Sequence, residues 1–298
     1  MTTSTHTKSA IAHPNTLCRS VALAVPGIAT LDGAGVRLTR TLGTPILPML
    51  DPFLLLDMFY SDRPQDYIAG FPDHPHRGFE TVSYMLAGRV RHEDNKGHVG
   101  VIEPGGIQWM TAGRGIVHSE MPEQTNGLLW GFQLWINLPA AEKMTAPRYQ
   151  EFNASQIPVE QRSPGNQVRV IAGQTSLGTR GPVYPGTTEV IYWDVVVASN
   201  DVFSEAIPTT HNSFILVYDG QIAVLSNHPE QKQIVEPGTL AVLGAGDRVQ
   251  MSAIGNGGKF LLIAGKPLNE PVAHGGPFVM NTRAEVLQAY QDYQAGRF

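Results

Sequence analysis

Short apolar runs separated by glycine and proline turns recur along almost the whole chain, and this alternation restricts its fold more than any other feature. The 298 residues include 31 glycines and 22 prolines, spread along the chain rather than clustered. Thr81–Leu86 alternates apolar Val82, Tyr84 and Leu86 with smaller residues, and this period of two indicates a strand. Because helical patterns are few, the sequence predicts an all-β protein of small β-barrels or sandwiches.

A weak internal repeat divides the chain into two related halves. Gly88 and Glu103 are 15 residues apart, and Gly220 and Glu236, in matching contexts, are 16 apart. The matching segments are Leu86-Ala87-Gly88-Arg89-Val90 with Tyr218-Asp219-Gly220-Gln221-Ile222, and Glu103-Pro104-Gly105 with Glu236-Pro237-Gly238. We therefore predict a flexible leader (1–17), an N-terminal domain (18–140), a linker (141–167) and a C-terminal domain (168–298).

The clearest helix signal lies near the C-terminal end of the sequence. Thr282 and Glu285 have the spacing of a capping box, in which each side chain caps the backbone of the other. The residues that follow at helical spacing on one apolar face are Val286, Ala289, Tyr290 and Tyr293. We expect a helix over Thr282–Gln294 that packs on the sheets.

Composition argues against several classes of partner. The formal net charge of -5, without a Lys or Arg cluster, argues against direct nucleic-acid binding. No apolar run approaches the roughly 18–20 residues that span a bilayer, and the first residues do not resemble a signal peptide. Cys18 is the single cysteine, so no intrachain disulfide forms. We expect a soluble, cytoplasmic monomer without membrane partners, in which the two halves cover each other's apolar sheets.

Two pairs of polar residues carry the chemical signal. His74 and His76 are two positions apart, as are His118 and Glu120. Residues i and i+2 of a strand point to the same face, so each pair can aim two side chains into one cavity. Imidazole and carboxylate together suit Fe, Mn, Ni, Cu or Zn, and no thiolate is near enough for a cysteine-type zinc site. Four such ligands leave open positions on an octahedral ion for substrate or O₂.

The residues around these pairs resemble the signatures of a known family. His74-Pro75-His76-Arg77-Gly78-Phe79-Glu80-Thr81-Val82-Ser83-Tyr84 resembles the first signature of the pirin family. The second signature is similar to Gln108-Trp109-Met110-Thr111-Ala112-Gly113-Arg114-Gly115-Ile116-Val117-His118-Ser119-Glu120-Met121. Gly276–Thr282 resembles the family's C-terminal segment, so the resemblance runs from about residue 30 to the end.

The resemblance implies two cupin β-barrels, which are jelly-roll-like, with metal only in the N-terminal one. It also implies Fe(II) held by His74, His76, His118 and Glu120. The second repeat agrees with a single metal, because the positions that correspond to its ligands are Ala206, Pro208 and Gln250. His211 stands alone there and is expected to be structural.

Several neighbouring residues are candidates for supporting roles. Glu80, four positions after His76, competes with Glu120 as a ligand; we favour Glu120 and expect Glu80 to form a hydrogen bond near the site. His92 either lines the mouth of the cavity or lies on an exposed return strand. Phe79 and Met110 are expected to line an apolar pocket for flat aromatic rings.

Two functions are compatible with this pattern, and the pirin resemblance implies both. In the first, the protein is a quercetin 2,3-dioxygenase-like enzyme that cleaves a flavonol with O₂, and Glu120 accepts the proton of the substrate hydroxyl. In the second, a non-catalytic regulatory protein binds a protein partner in a manner that depends on iron. That role requires the two metal states to differ in binding free energy.

Overall fold

The computed structural model describes residues 17–163, 165–227, 230 and 232–298. Residues 1–16 of the expected leader lie outside this part, as does His228. Between residues 17 and 140 the strands are β1 (Val21–Pro26), β2 (Ile28–Asp32), β3 (Val36–Leu42), β4 (Phe53–Ser61), β5 (Phe71–His76), β6 (Phe79–Ala87), β7 (Val90–Asp94), β8 (Val99–Ile102), β9 (Ile107–Thr111), β10 (Ile116–Pro122) and β11 (Leu129–Asn137).

The remaining described residues contain a second set of strands and the one helix. These are β12 (Arg148–Phe152), β13 (Val159–Ser163), β14 (Asn166–Ala172), β15 (Ile191–Val197), β16 (Val202–Ala206), β17 (Asn212–Leu225), β18 (Lys232–Val235), β19 (Thr239–Leu243), β20 (Arg248–Gly265), β21 (Ala273–Gly275), β22 (Phe278–Met280) and α1 (Arg283–Gln294). No helix in the described ranges has the length and apolarity to cross a bilayer.

The N-terminal barrel is made of two sheets. A seven-stranded sheet has the order β12-β9-β6-β11-β4-β3-β2, and a four-stranded sheet has the order β5-β10-β7-β8. Their pairings are antiparallel, so alternate side chains of each strand point into the barrel. Strand β5 therefore stands directly beside β10, which brings the two predicted ligand segments together.

The C-terminal barrel is one nine-stranded sheet that folds over itself. Its two longest strands, β17 and β20, have 14 and 18 residues, and each pairs with different neighbours at its two ends. A buried cluster that includes Trp193, Phe203 and Phe260 fills its interior. A second cluster joins Trp109 and Phe132 of the N-terminal barrel to buried side chains of this one. The predicted fold class, all-β with two cupin barrels, is confirmed.

Matching glycines of the two halves adopt matching backbone conformations. Gly88 and Gly220 have φ values of +78° and +65°, and Gly105 and Gly238 have +78° and +77°. Residues with a Cβ rarely adopt these left-handed values, so glycine is favoured at each of these turns. The repeat therefore reflects two hairpin turns that both barrels require.

Strands at the predicted domain borders join sheets that their position in the chain does not predict. β1 pairs with β19 and so extends the C-terminal sheet, although residue 21 falls in the predicted N-terminal domain. Within residues 141–167, expected as a linker, β12 pairs with β9 of the N-terminal sheet and β13 pairs with β14 of the C-terminal one. The borders at 17, 140 and 167 stay predictions.

Helix α1 begins as the sequence predicts. The Thr282 side chain accepts a hydrogen bond from the Glu285 backbone N–H at 3.2 Å, and the Glu285 carboxylate accepts one from the Thr282 N–H at 2.8 Å. Asp292 on this helix forms a 2.7 Å ion pair with buried Arg77. Because Arg77 directly follows His76, this contact ties the helix to the end of β5.

Candidate metal centre

Three histidines converge at the junction of β5 and β10. His74 lies directly opposite His118 in the antiparallel register, and His76 follows two positions along β5, so all three side chains share one face. One nitrogen from each ring lies within 4.8 Å of the other two. We call this cluster the three-histidine centre.

The centre is arranged to accept a cation. His76 is 3% exposed and His118 is 1% exposed. Neither ring nitrogen of His118 has a hydrogen-bond partner among the described groups, and neither does Nδ1 of His76. His74 Nδ1 lies 2.9 Å from the Pro72 carbonyl oxygen, so a proton on Nδ1 leaves the Nε2 lone pair free. Buried polar atoms are nearly always paired. A metal ion would give a partner to the unpaired nitrogen of His76 and to one of the two of His118.

Burial keeps the imidazoles of His76 and His118 neutral, which is the form that binds metal. The pKa of His76 lies well below 6.5 because of burial and because of His74 beside it. Burial likewise holds the pKa of His118 well below 6.5, with His76 and His74 adding to the effect. His76 and His118 therefore fit a divalent metal in burial and protonation, and all three histidines fit it in spacing.

Glu120 lies in the same cavity but outside the group of three. The register shifts between His118 and Glu120 where β10 pairs with β5, so Glu120 is opposite Phe71. Its Oε1 accepts a hydrogen bond from the Ser83 hydroxyl at 2.7 Å, and its Oε2 accepts one from Gln133 Nε2 at 3.3 Å. These donors hold the carboxylate on the cavity wall beside the histidines.

A cavity of about 650 Å³ opens onto the three-histidine centre. His74, His76 and Glu120 stand on its polar side. Its apolar walls include Val36, Leu38, Leu55, Phe59, Phe71, Met85, Leu129 and Trp135. Its size falls within the roughly 300–1,000 Å³ of small-molecule sites, and its lining, mostly apolar with a few convergent polar groups, is typical of them.

A row of polar side chains, which no sequence pattern predicts, crosses the seven-stranded sheet. Its members follow one another by register across neighbouring strands, and we call them the polar row: Arg40, Asp57, Gln133, Ser83, Gln108 and Glu151. The Arg40 guanidinium donates two hydrogen bonds to the Asp57 carboxylate, of 2.8 and 2.7 Å. Burial raises the pKa of Asp57 to about 6, although Arg40 opposes the shift. Four members of the row, Arg40, Asp57, Gln133 and Ser83, line the cavity and give it a polar floor.

Glu80 lies away from the cavity. Ser83 and Met85 of the same strand line the cavity, so strand parity places Glu80 on the opposite face. Its Oε1 accepts a 2.6 Å hydrogen bond from Thr111, and burial raises its pKa. The parity count from His76 to Glu80 fails because Gly78, with φ +88°, turns the chain between β5 and β6.

The two expected pocket residues are both fully buried. The Phe79 ring packs 5.0 Å from the His76 ring, measured between centroids, and does not line the cavity. Met110 lies in a separate apolar cluster with Ala112 and Ile116 and does not line the cavity. Phe79 therefore supports a histidine, and Met110 is part of the core.

His92 belongs to a second cluster of metal-ligand type. It is 2% exposed and lies inside the N-terminal barrel, where its Nε2 is 2.9 Å from Glu151 Oε1. His98 Nε2 lies 3.1 Å from the same oxygen. Both clusters found among the described residues thus lie in the N-terminal barrel. His211, in the C-terminal barrel, instead contacts the Glu189 carbonyl oxygen at 3.1 Å.

Substituting Gly78 with alanine is expected to destabilise the protein and displace His76. A Cβ there would lie 2.0 Å from the Val279 carbonyl oxygen, at a φ of +88°. Gly127, with φ +90° and nothing within 4 Å, is the matched control for backbone strain alone. We expect Gly127→Ala to lower the free energy of unfolding by about 1 kcal/mol, and Gly78→Ala to lower it by at least about 2 kcal/mol more. Urea unfolding measures both, and equal losses would contradict the close approach.

Acid is expected to destabilise the metal-free protein through His76 and His118. Their folded pKa values lie below the unfolded value of about 6.5, so below that pH the unfolded chain binds protons that the folded protein does not. The contribution of these histidines to the free energy of unfolding is therefore fully present above pH about 6.5. It falls as pH decreases, by up to about 1.4 kcal/mol per pH unit for each histidine.

The check is to measure the free energy of unfolding in urea between pH 7.5 and 5.5, for the metal-free protein and for metal-free His118→Gln. The variant should lose stability less steeply, by about one proton's contribution. Asp57, whose raised pKa acts in the opposite direction, is common to both proteins and cancels in the comparison. Identical slopes would show that His118 becomes protonated in the folded state.

Comparisons with known proteins agree with this architecture. The family model described as Pirin matches residues 35–136, and that of the Pirin C-terminal cupin domain matches residues 192–298. A pirin-like protein of Caulobacter vibrioides is 53% identical over 280 residues, which cover 94% of this chain and 99% of that protein. Human pirin is 45% identical over 281 residues, covering 93% and 92%.

A solved structure extends the agreement to the fold. The quercetin 2,3-dioxygenase of Acinetobacter baumannii superposes with a TM-score of 0.85 at 33% identity, covering 94% of this chain and 98% of that one. Both family models, together with relatives matched over nearly their whole length, leave one assignment. The chain belongs to the pirin family.

Proposed function

We propose that this protein is a mononuclear iron dioxygenase that cleaves quercetin or a related flavonol with O₂. The observation that carries the proposal is the three-histidine centre, which has buried, unpaired nitrogens on His76 and His118 and stands beside a cavity with apolar walls that His74 and His76 line. The similarity to the quercetin 2,3-dioxygenase of Acinetobacter baumannii supports the substrate class.

His74, His76 and His118 would hold the iron, and Glu120 is the fourth ligand that we propose. Glu120 would reach the ion by rotating away from Ser83, which now donates to it at 2.7 Å. Bound iron supplies Lewis acidity and a common binding point for a substrate oxygen and O₂. Phe79 and Trp135 pack at 5.0 and 5.2 Å on the His76 ring and fix its orientation.

The cavity residues bind and orient the substrate. Flat aromatic rings fit between the apolar walls, where Phe59, Met85 and Leu129 exclude water. Glu120 accepts the proton of the flavonol hydroxyl, and Ser83 and Gln133 hold its carboxylate at the cavity wall before the metal binds. The Arg40–Asp57 pair at the far end of the floor offers polar contacts to ring hydroxyls.

Oxygen uptake with quercetin tests the proposal. The protein is stripped of metal, reconstituted anaerobically with Fe(II), and mixed with quercetin and ¹⁸O₂. We expect one O₂ consumed per quercetin, with both labelled atoms in the products. Stoichiometric iron without uptake would overturn flavonol oxidation and direct attention to the regulatory, partner-binding alternative.

A further inference from the structure

His92, His98 and Glu151 converge on the side of the N-terminal barrel away from β5. His92 is on β7, His98 directly precedes β8, and Glu151 is on β12 at the edge of the other sheet. The candidate ligand atoms of all three lie within 4.8 Å of one another. The nearest approaches are 2.9 Å from His92 Nε2 and 3.1 Å from His98 Nε2, both to Glu151 Oε1.

Neighbouring groups hold this cluster in place. The Tyr149 ring stacks on the His98 ring at 4.2 Å between centroids, and its hydroxyl donates to Asp94 Oδ2 at 2.9 Å. Asp94 Oδ1 accepts from the backbone N–H of His98 at 2.9 Å and thereby fixes the turn that carries this histidine. Gln108 Nε2 donates to Glu151 Oε1 at 2.7 Å. Such supporting contacts orient ligands before a metal binds.

Gly100 leaves the space that the cluster needs. A Cβ at this position would lie 2.4 Å from His92 Nε2 and 3.3 Å from Glu151 Oε2. Real Cβ atoms essentially never approach another atom so closely, so a side chain at position 100 would push His92 aside. The absence of a side chain therefore keeps the donor nitrogen of a buried histidine accessible.

The chemistry of the cluster suits a borderline divalent ion. Two imidazoles and one carboxylate make a donor set found around zinc, with one position left for water. Ligands about 2.0–2.1 Å from a tetrahedral ion stand about 3.3 Å apart. The observed distances from Glu151 Oε1, 2.9 Å to His92 Nε2 and 3.1 Å to His98 Nε2, would have to increase only slightly.

We propose that His92, His98 and Glu151 form a second divalent-metal site of the zinc class, separate from the three-histidine centre. Its ligands come from both sheets of the barrel. A bound ion would join β12 to the β7–β8 hairpin and close this side of the barrel, with a structural rather than catalytic role. The outward side chains of His98 and Glu151, 38% and 32% exposed, give the ion a path from solvent.

Zinc titration of chelator-stripped protein tests the proposal, with stoichiometry measured by calorimetry and elemental analysis. We expect two equivalents for the native chain. His98→Ala and Glu151→Gln should each weaken one equivalent by more than about 100-fold, beyond the usual 10–100-fold loss for a supporting contact. Glu93→Gln changes an exposed carboxylate on β7 outside the cluster and should keep both equivalents.

His118→Ala separates the two sites. It should remove the equivalent that His98→Ala keeps, and the double variant should bind none. A zinc equivalent that is lost in His98→Ala and Glu151→Gln but kept in His118→Ala supports the second site. This holds even if the iron-loaded protein shows no oxygen uptake with quercetin. If His98→Ala and Glu151→Gln bind as much zinc as the native protein, with the same affinity, the proposal is overturned. Circular dichroism of each variant confirms that losses do not come from unfolding.

Discussion

Replacing His118 with alanine is expected to empty the three-histidine centre of iron and to end oxygen uptake with quercetin. The proposed ligand His118 lies beside both other histidines, with ring centroids 4.4 Å from His74 and 5.1 Å from His76. Its loss leaves two histidines on one strand and the carboxylate of Glu120, so we expect iron affinity to fall by more than about 100-fold. Uptake should then equal that of protein without iron.

The matched control is His211→Ala in the C-terminal barrel. His211 is also a buried histidine, but its ring contacts a backbone carbonyl rather than other candidate ligands. We expect this variant to keep its iron and its uptake. If His118→Ala retained stoichiometric iron, the assignment of the centre would be wrong. If both variants lost uptake while keeping iron, the losses would come from a general disturbance of the fold.

The candidate ligands could be predicted because strand parity holds within each short segment. His74 and His76 occupy one face of β5, and His118 meets them because β5 pairs directly with β10. The family signatures also identified the segments that the structure brings together. Parity failed only across a turn, at Gly78, so Glu80 reaches the opposite face of β6. A positive φ is not visible as such in a sequence, although glycine at that position permits it.

The polar row and the second cluster could not be predicted for a different reason. Asp57 and Gln133 are 76 residues apart in sequence, and only the register of β4 with β11 makes them neighbours. Glu151 lies in a segment that the sequence marked as a linker, yet β12 brings it to Gln108. Each residue alone is an ordinary polar position of a strand. Their arrangement depends on long-range pairing, which a single sequence does not specify.

Glu120→Gln is expected to slow oxygen uptake strongly, whereas Glu80→Gln should leave it nearly unchanged. Both carboxylates are buried in the N-terminal barrel and each accepts a hydrogen bond from a hydroxyl, so the two changes are closely matched. Glutamine at position 120 can still accept from Ser83 but cannot take the proton of a substrate hydroxyl. Loss of a general base typically costs about 10²–10⁴-fold in rate.

Iron content then distinguishes the two roles that we propose for Glu120. A variant that keeps its iron but turns over slowly retains the metal site and has lost the proton acceptor. A variant that loses its iron identifies Glu120 as a ligand whose charge the metal requires. Both outcomes need Glu80→Gln to behave like the native protein, because Glu80 faces Thr111 and not the cavity. Slow uptake in Glu80→Gln with native rates in Glu120→Gln would reverse the assignment and make Glu80 the functional carboxylate.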